Sequence, residues 1–182
     1  MRRRFAVVVV DAMAAPRDPA LRDRLGPELD DHLRAVVRAH VVRWARAVPG
    51  EAYEAARGED VPPLLHGHDG PVVLVAPDVP GLAPHHLHAA CDDLDAGVTL
   101  AFGAAGDGLP FLLVLASPDP DLLRRAGDPF DDLAAIAAAG GGSFGMLRQE
   151  RRLASVADAR AWRADPVAPL GLRDLLAPVF PR

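Results

Sequence analysis

Asp78 is the acidic residue best placed for a chemical role. It directly follows the apolar run Val72–Val75 and lies in Pro77-Asp78-Val79-Pro80-Gly81. A carboxylate held rigidly at a strand end can coordinate Mg²⁺ or Mn²⁺ carrying a diphosphate. The plainer alternative is an aspartate that shapes a turn or caps a helix. Asp107 and Gly108 lie in Gly103-Ala104-Ala105-Gly106-Asp107-Gly108, and Asp-Gly is a hairpin-turn signal in its own right. Asp11 closes the first apolar run and offers a second carboxylate. Arg22 and Arg24 precede a long helical pattern and could hold phosphate oxygens together with a helix amino terminus. The alternative is a solvated charge cluster with Asp18 and Asp23.

Other chemistries lose support. His85, His86 and His88 fall within one turn, with His66 and His68 upstream, but there is no HExxH pattern and no nearby cysteine ligand. They are read as partly exposed histidines at a helix start. Ser143 in Gly142-Ser143-Phe144-Gly145 lacks the fifth residue of a GxSxG elbow. No Walker A loop occurs, and no GxGxxG follows the first strand. All twenty basic residues are arginine, so a lysine Schiff base is excluded and any cationic grip on phosphate comes from planar guanidinium forks.

These residues need a scaffold. The 182 residues are half apolar and one quarter charged, with a formal net charge of −5. That composition suits a globular domain and gives no basic stripe for nucleic acid. Cys91 is the only cysteine, so no disulfide forms within the chain, which agrees with a reducing, cytoplasmic setting. Arg2, Arg3 and Arg4 faintly resemble a twin-arginine signal, but the apolar run behind them stops at Asp11 and reads as a buried first strand. No stretch approaches the ~20 apolar residues of a membrane span.

The periodicity predicts strands at Phe5–Val10, Val72–Val75, Val98–Phe102 and Phe111–Ala116. It predicts helices over 28–47, 85–94, 119–126, 129–139, 156–164 and 170–177. Residues 11–25 and 50–70 read as loops, the second with one short helical turn near Tyr53. Alternating strands and helices predict an α/β domain over residues 1–182: a three-layer α/β/α arrangement on a mostly parallel, mixed sheet whose direction changes near an edge. Ligands of such sheets sit beyond the carboxyl ends of the strands, where Asp11, Asp78 and the 103–110 turn would converge. The apolar run Leu170–Phe180 is expected to pack on its own domain, with a homodimer contact as the alternative.

The order of motifs resembles the bacterial glycosyltransferase-A-like (GT-A) family labelled DUF2064. Val72-Val73-Leu74-Val75-Ala76-Pro77-Asp78-Val79-Pro80-Gly81-Leu82 is similar to that family's strand ending in Gly-x-Asp-x-Pro-x-Leu. Phe102–Leu115 resembles its Gly-Pro-x-x-Asp-Gly-Gly-Tyr-x-Leu segment. Ala15-Pro16 and Arg22-Asp23-Arg24-Leu25 stand at the spacing of its Ala-Pro…Lys-Thr-Arg-Leu loop. The resemblance implies a Rossmann-like nucleotide-diphospho-sugar transferase fold, a nucleotide or nucleotide-sugar ligand, and Mg²⁺ or Mn²⁺ at Asp78. Asp11, Arg22, Arg24, Asp107 and Gly108 would lie on the ligand side.

Several positions depart from the family pattern. Arg22 and Asp23 replace Lys-Thr, Leu109-Pro110 replaces Gly-Tyr, and Arg152-Leu153-Ala154-Ser155 stands where Asp-x-Asp-Thr is expected. The 48–70 stretch looks too short for the usual second strand and its helix. Two readings follow: a glycosyl- or nucleotidyltransferase-like enzyme, or a noncatalytic relative kept as a binding or interaction module.

Overall fold

The computed structural model describes residues 4–181; Arg2 and Arg3 lie outside the described residues. The first strand, β1 (Phe5–Val10), is buried along its whole length, as a continuous β-branched run requires. A short 3-10 turn over Asp11–Met13 leads to α1 (Pro19–Leu25) and α2 (Pro27–Ala47). Pro27 at the first helical position and Glu28 and Asp30 in the first turn suit the start of α2. Leu33, Val37, Val41 and Trp44 form its buried stripe.

Next come β2 (Gly50–Ala55), the single turn α3 (Val61–Leu64) and β3 (Val72–Val75). They are followed by α4 (Pro84–Asp95), β4 (Leu100–Ala104), β5 (Pro110–Leu115), α5 (Pro120–Arg124) and α6 (Phe130–Ala139). The chain closes with β6 (Phe144–Met146), α7 (Val156–Ala164) and α8 (Leu170–Leu176).

The strands form one sheet in the order β2-β1-β3-β5-β4-β6. β1 runs parallel to β2 and β3, and β4 runs parallel to β6. β5 is antiparallel to both its neighbours. The change of direction therefore falls inside the sheet, not near an edge as expected. α2 packs on β1 and β2, while α4 and α6 pack against β4.

Three further expectations are corrected. Residues 50–55 are an edge strand rather than part of a loop, so the 48–70 stretch does hold a second strand. Residues 19–25 are helical, begun by Asp18, whose carboxylate accepts the Ala20 N–H, and by Pro19. Beyond the run Gly140-Gly141-Gly142 lies a sixth short strand that the periodicity does not predict.

Two apolar clusters result. The larger surrounds the sheet. The second joins Leu21, Leu33 and Val37 to Trp162, Leu172 and Phe180. The C-terminal run thus packs on its own chain through Leu172, Leu176 and Phe180. Among the described residues, no helix is long and apolar enough to cross a membrane.

Candidate functional site

The loop after β1 and the turn after β3 leave the sheet at the carboxyl ends of parallel strands, where this architecture places ligands. Ala15 and Arg17 of the β1 loop separate two adjoining cavities. The larger, about 780 Å³, is also walled by the β4–β5 turn and by residues 149–155. The smaller, about 540 Å³, is walled by Asp11, Arg34, Arg38, Pro77 and Asp78. Both volumes lie in the range of small-molecule sites.

Asp78 lines the smaller cavity and is tied to Ala15, which borders both. Its Oδ2 accepts the Ala15 N–H at 2.9 Å. Its Oδ1 accepts from Nη1 of Arg152 at 2.6 Å. Arg152 is 3 % exposed and ties three parts of the fold together. Nη1 also donates to the Met13 carbonyl at 2.9 Å, and Nη2 donates to the Pro110 carbonyl at 2.6 Å. Nε faces Asp107 Oδ2 at 3.4 Å. The backbone holds this arginine in place: Leu153 N–H donates to the Asp78 carbonyl at 3.1 Å, and Trp162 Nε1 donates to the Arg152 carbonyl at 3.0 Å. Just downstream, Ser155 caps α7 and the Asp158 carboxylate accepts the Ser155 N–H at 2.9 Å, which anchors the segment's far end.

The guanidinium thus occupies the position between Asp78 and Asp107 that a divalent cation would need. A hard cation takes six or more oxygen ligands, and here both Asp78 oxygens are already engaged. The residues around Asp78 do not fit Mg²⁺ or Mn²⁺.

Burial pushes the Asp78 carboxyl above its ordinary range, and the Arg152 charge and the Ala15 N–H pull it back only in part. A carboxyl raised in the folded state binds its proton more tightly there than in the unfolded chain. Its contribution to stability is fully present below the ordinary carboxylate value, about pH 4, and is lost as pH rises through the folded value. Urea denaturation from pH 4 to 7 should therefore show wild type losing stability relative to Asp78→Asn as pH increases. A flat or opposite difference would contradict this account.

Of the other expected residues, Asp11 and Asp107 lie at these cavities, and Arg22 and Arg24 do not. Asp107 caps its own turn by accepting the Leu109 N–H at 3.0 Å, while also lining the larger cavity. Gly108 follows at the turn with φ 79°. Asp11 is exposed and bonds to Arg38, which also reaches Glu54 at 2.8 Å. Arg22 and Arg24 lie in the last turn of α1 and line neither cavity. Arg24 lies 5.8 Å from the Phe180 ring centroid, in a cation–π arrangement.

The guanidinium that the sequence does not single out is Arg17. It borders both cavities and is held by Asp30, a fully buried carboxylate that also pairs with Arg34 at 3.2 Å. Burial lowers the Arg17 pKa, and Asp30 counteracts it. Its signal lay one position beyond Ala15-Pro16 of the expected phosphate loop.

At the far wall, Glu150 lines the larger cavity and pairs with His86, Nε2 to Oε1, at 3.0 Å. One ligand atom each from His85, His86 and Glu150 lies within 4.8 Å of the others. Burial and the neighbouring His86 lower the pKa of His85.

A protein from Desulfovibrio desulfuricans G20, proposed to be a nucleotide-diphospho-sugar transferase, superposes with a TM-score of 0.72 over 98% of each chain at 16% identity. The chain therefore has the α/β fold of that transferase class. Rv0371c from Mycobacterium tuberculosis H37Rv, solved with manganese, aligns over 97% of this chain and 99% of its own, with 18% identity and a TM-score of only 0.44. Neither a protein-family model nor a curated protein sequence matches the chain.

Proposed function

We propose that this chain is a nucleotide- or nucleotide-sugar-binding relative of the transferase class, distantly related to DUF2064, that does not perform metal-assisted transfer. The observation that carries this is the 2.6 Å ion pair between Arg152 and Asp78. A metal-dependent transferase uses its strand-end carboxylate to hold the ion that activates the leaving diphosphate. Here an internal guanidinium neutralises that carboxylate and leaves no room for the ion.

The cavity beside it keeps features suited to a phosphorylated ligand. Arg17 and Arg151 line its wall, and Gly106 and Ala154 bring main chain to its surface. Guanidinium forks bind phosphate oxygens in pairs without needing a cation. Binding rather than turnover is what such an arrangement supports.

Titration calorimetry with a panel of nucleoside diphosphates and nucleotide-sugars provides the test. Binding of at least one member is expected, unchanged by added Mn²⁺ or by chelator. Arg151→Ala, an exposed change that leaves the fold intact, should weaken it roughly tenfold, the worth of one charged hydrogen bond. Mn²⁺-dependent sugar or nucleotidyl transfer by purified protein would overturn the proposal, and so would silence across the panel.

A further inference from the structure

We propose that His85, His86 and Glu150 form a binding site for one zinc-like divalent transition-metal ion, distinct from the Asp78 carboxylate. The three ligand atoms come from two separated parts of the chain, the first turn of α4 and the segment after β6, and lie within 4.8 Å of one another. Around a tetrahedral zinc ion with bonds of about 2.0–2.1 Å, donor atoms stand roughly 3.3 Å apart. The His86–Glu150 edge, at 3.0 Å, is already near that spacing. His85 is exposed, and its ring lies 4.0 Å from that of His86, so a side-chain rotation closes the triangle without moving backbone.

The buried ligand has a fixed second partner. His86 is 1 % exposed, and its Nδ1 lies 3.2 Å from both the N–H and the carbonyl of Ala83. Two tautomers therefore fit. In one, Nδ1 accepts the Ala83 N–H and Nε2–H donates to Glu150. In the other, Nδ1–H donates to the Ala83 carbonyl, and the Nε2 lone pair faces a carboxylate oxygen. That second arrangement sets two acceptors against each other unless a cation lies between them. It is also how metal-bound histidines are held, with the remote ring N–H on a carbonyl. An ion bound at Nε2 selects the second arrangement, with the ring proton on Nδ1 and donated to the Ala83 carbonyl.

Two imidazoles and one carboxylate favour zinc and its first-row neighbours over magnesium, which demands oxygen ligands in an octahedron. Arg148 lies close enough to His85 to oppose a cation, and the Glu150 carboxylate counters it. Three protein ligands leave a fourth position open. Glu150 also belongs to the wall of the larger cavity, so the ion would sit at its margin.

The test uses the full chain, freed of metal and without nucleotide, so its result is independent of ligand binding. Titration with Zn²⁺ should show one ion per chain, Mg²⁺ should not compete, and Co²⁺ should give the visible absorption band of a four- or five-coordinate site. His85→Ala, at an exposed position, should fold normally and weaken Zn²⁺ at least about tenfold, and Glu150→Gln should do the same. No Zn²⁺ binding, or binding unchanged by His85→Ala and abolished by His68→Ala, would overturn the proposal.

Discussion

Replacing Arg152 with methionine is expected to lower the unfolding free energy at pH 7 by about 3–5 kcal/mol, the cost of orphaning a buried charge. Three acceptors lose their donor together: the Asp78 carboxylate and the carbonyls of Met13 and Pro110. Those groups lie in the β1 loop, the turn after β3 and the start of β5, so the loss loosens three junctions at once. Domains are stable by only about 5–15 kcal/mol, so the variant should unfold at much lower urea. The deficit should shrink toward pH 4, where the abandoned Asp78 takes up a proton. Adding Asp78→Asn should recover part of it, because the two residues form one coupled unit. Arg152→Lys should fall between, keeping the charge but not the planar fork that spans two carbonyls. A loss below about 1 kcal/mol for the methionine variant would show that the ion pair is ornamental.

Gly50→Ala is expected to destabilise the protein by about 3 kcal/mol, combining backbone strain with overpacking. Gly50 begins β2 at φ 140° and pairs with Phe5 of β1. A Cβ there would fall on the Phe5 carbonyl oxygen, with the Phe5 N only 2.7 Å away. Neither strand can yield without breaking the register that aligns Val10 with Ala55 at the cavity end of the sheet. Gly108→Ala is the control, since its φ of 79° is equally left-handed but a Cβ would meet open space. That change should cost only about 1–2 kcal/mol, the penalty of the conformation itself. Equal melting-temperature losses for the two variants would mean that the clash contributes nothing.

Most of the sheet was legible because its strands are continuous apolar runs. Phe5–Val10, Val72–Val75 and Phe111–Leu115 are buried on both faces and need no alternation to betray them. β2 was not legible for the opposite reason. Its sequence, Gly-Glu-Ala-Tyr-Glu-Ala, lies at an edge, mostly exposed, and is held by backbone pairing to β1 rather than by apolar burial. β6 is three residues long and contains a glycine, too short for any period to show. α1 buries only Leu21 and Leu25, and its charges mimic a loop.

The site was half legible. Asp78 stood out by its place after a strand, and Asp107 by its turn. Arg152 drew notice only as a missing carboxylate; that it supplies the counter-charge depends on a fold-back no local pattern encodes. Arg22 and Arg24 drew attention by position before α2, yet they lie in the last turn of α1 and line neither cavity.

The guanidinium that neutralises Asp78 lies 74 positions further along the chain. At synthesis rates of roughly 5–20 residues per second, the carboxylate leaves the ribosome about 4–15 seconds before its partner. For that interval all six strands have been or are being made while the acid remains hydrated. A stalled or clipped nascent chain ending before Arg152 would own every strand of the sheet and still lack its internal counter-ion. The pair therefore closes only after the last strand of the sheet has been made.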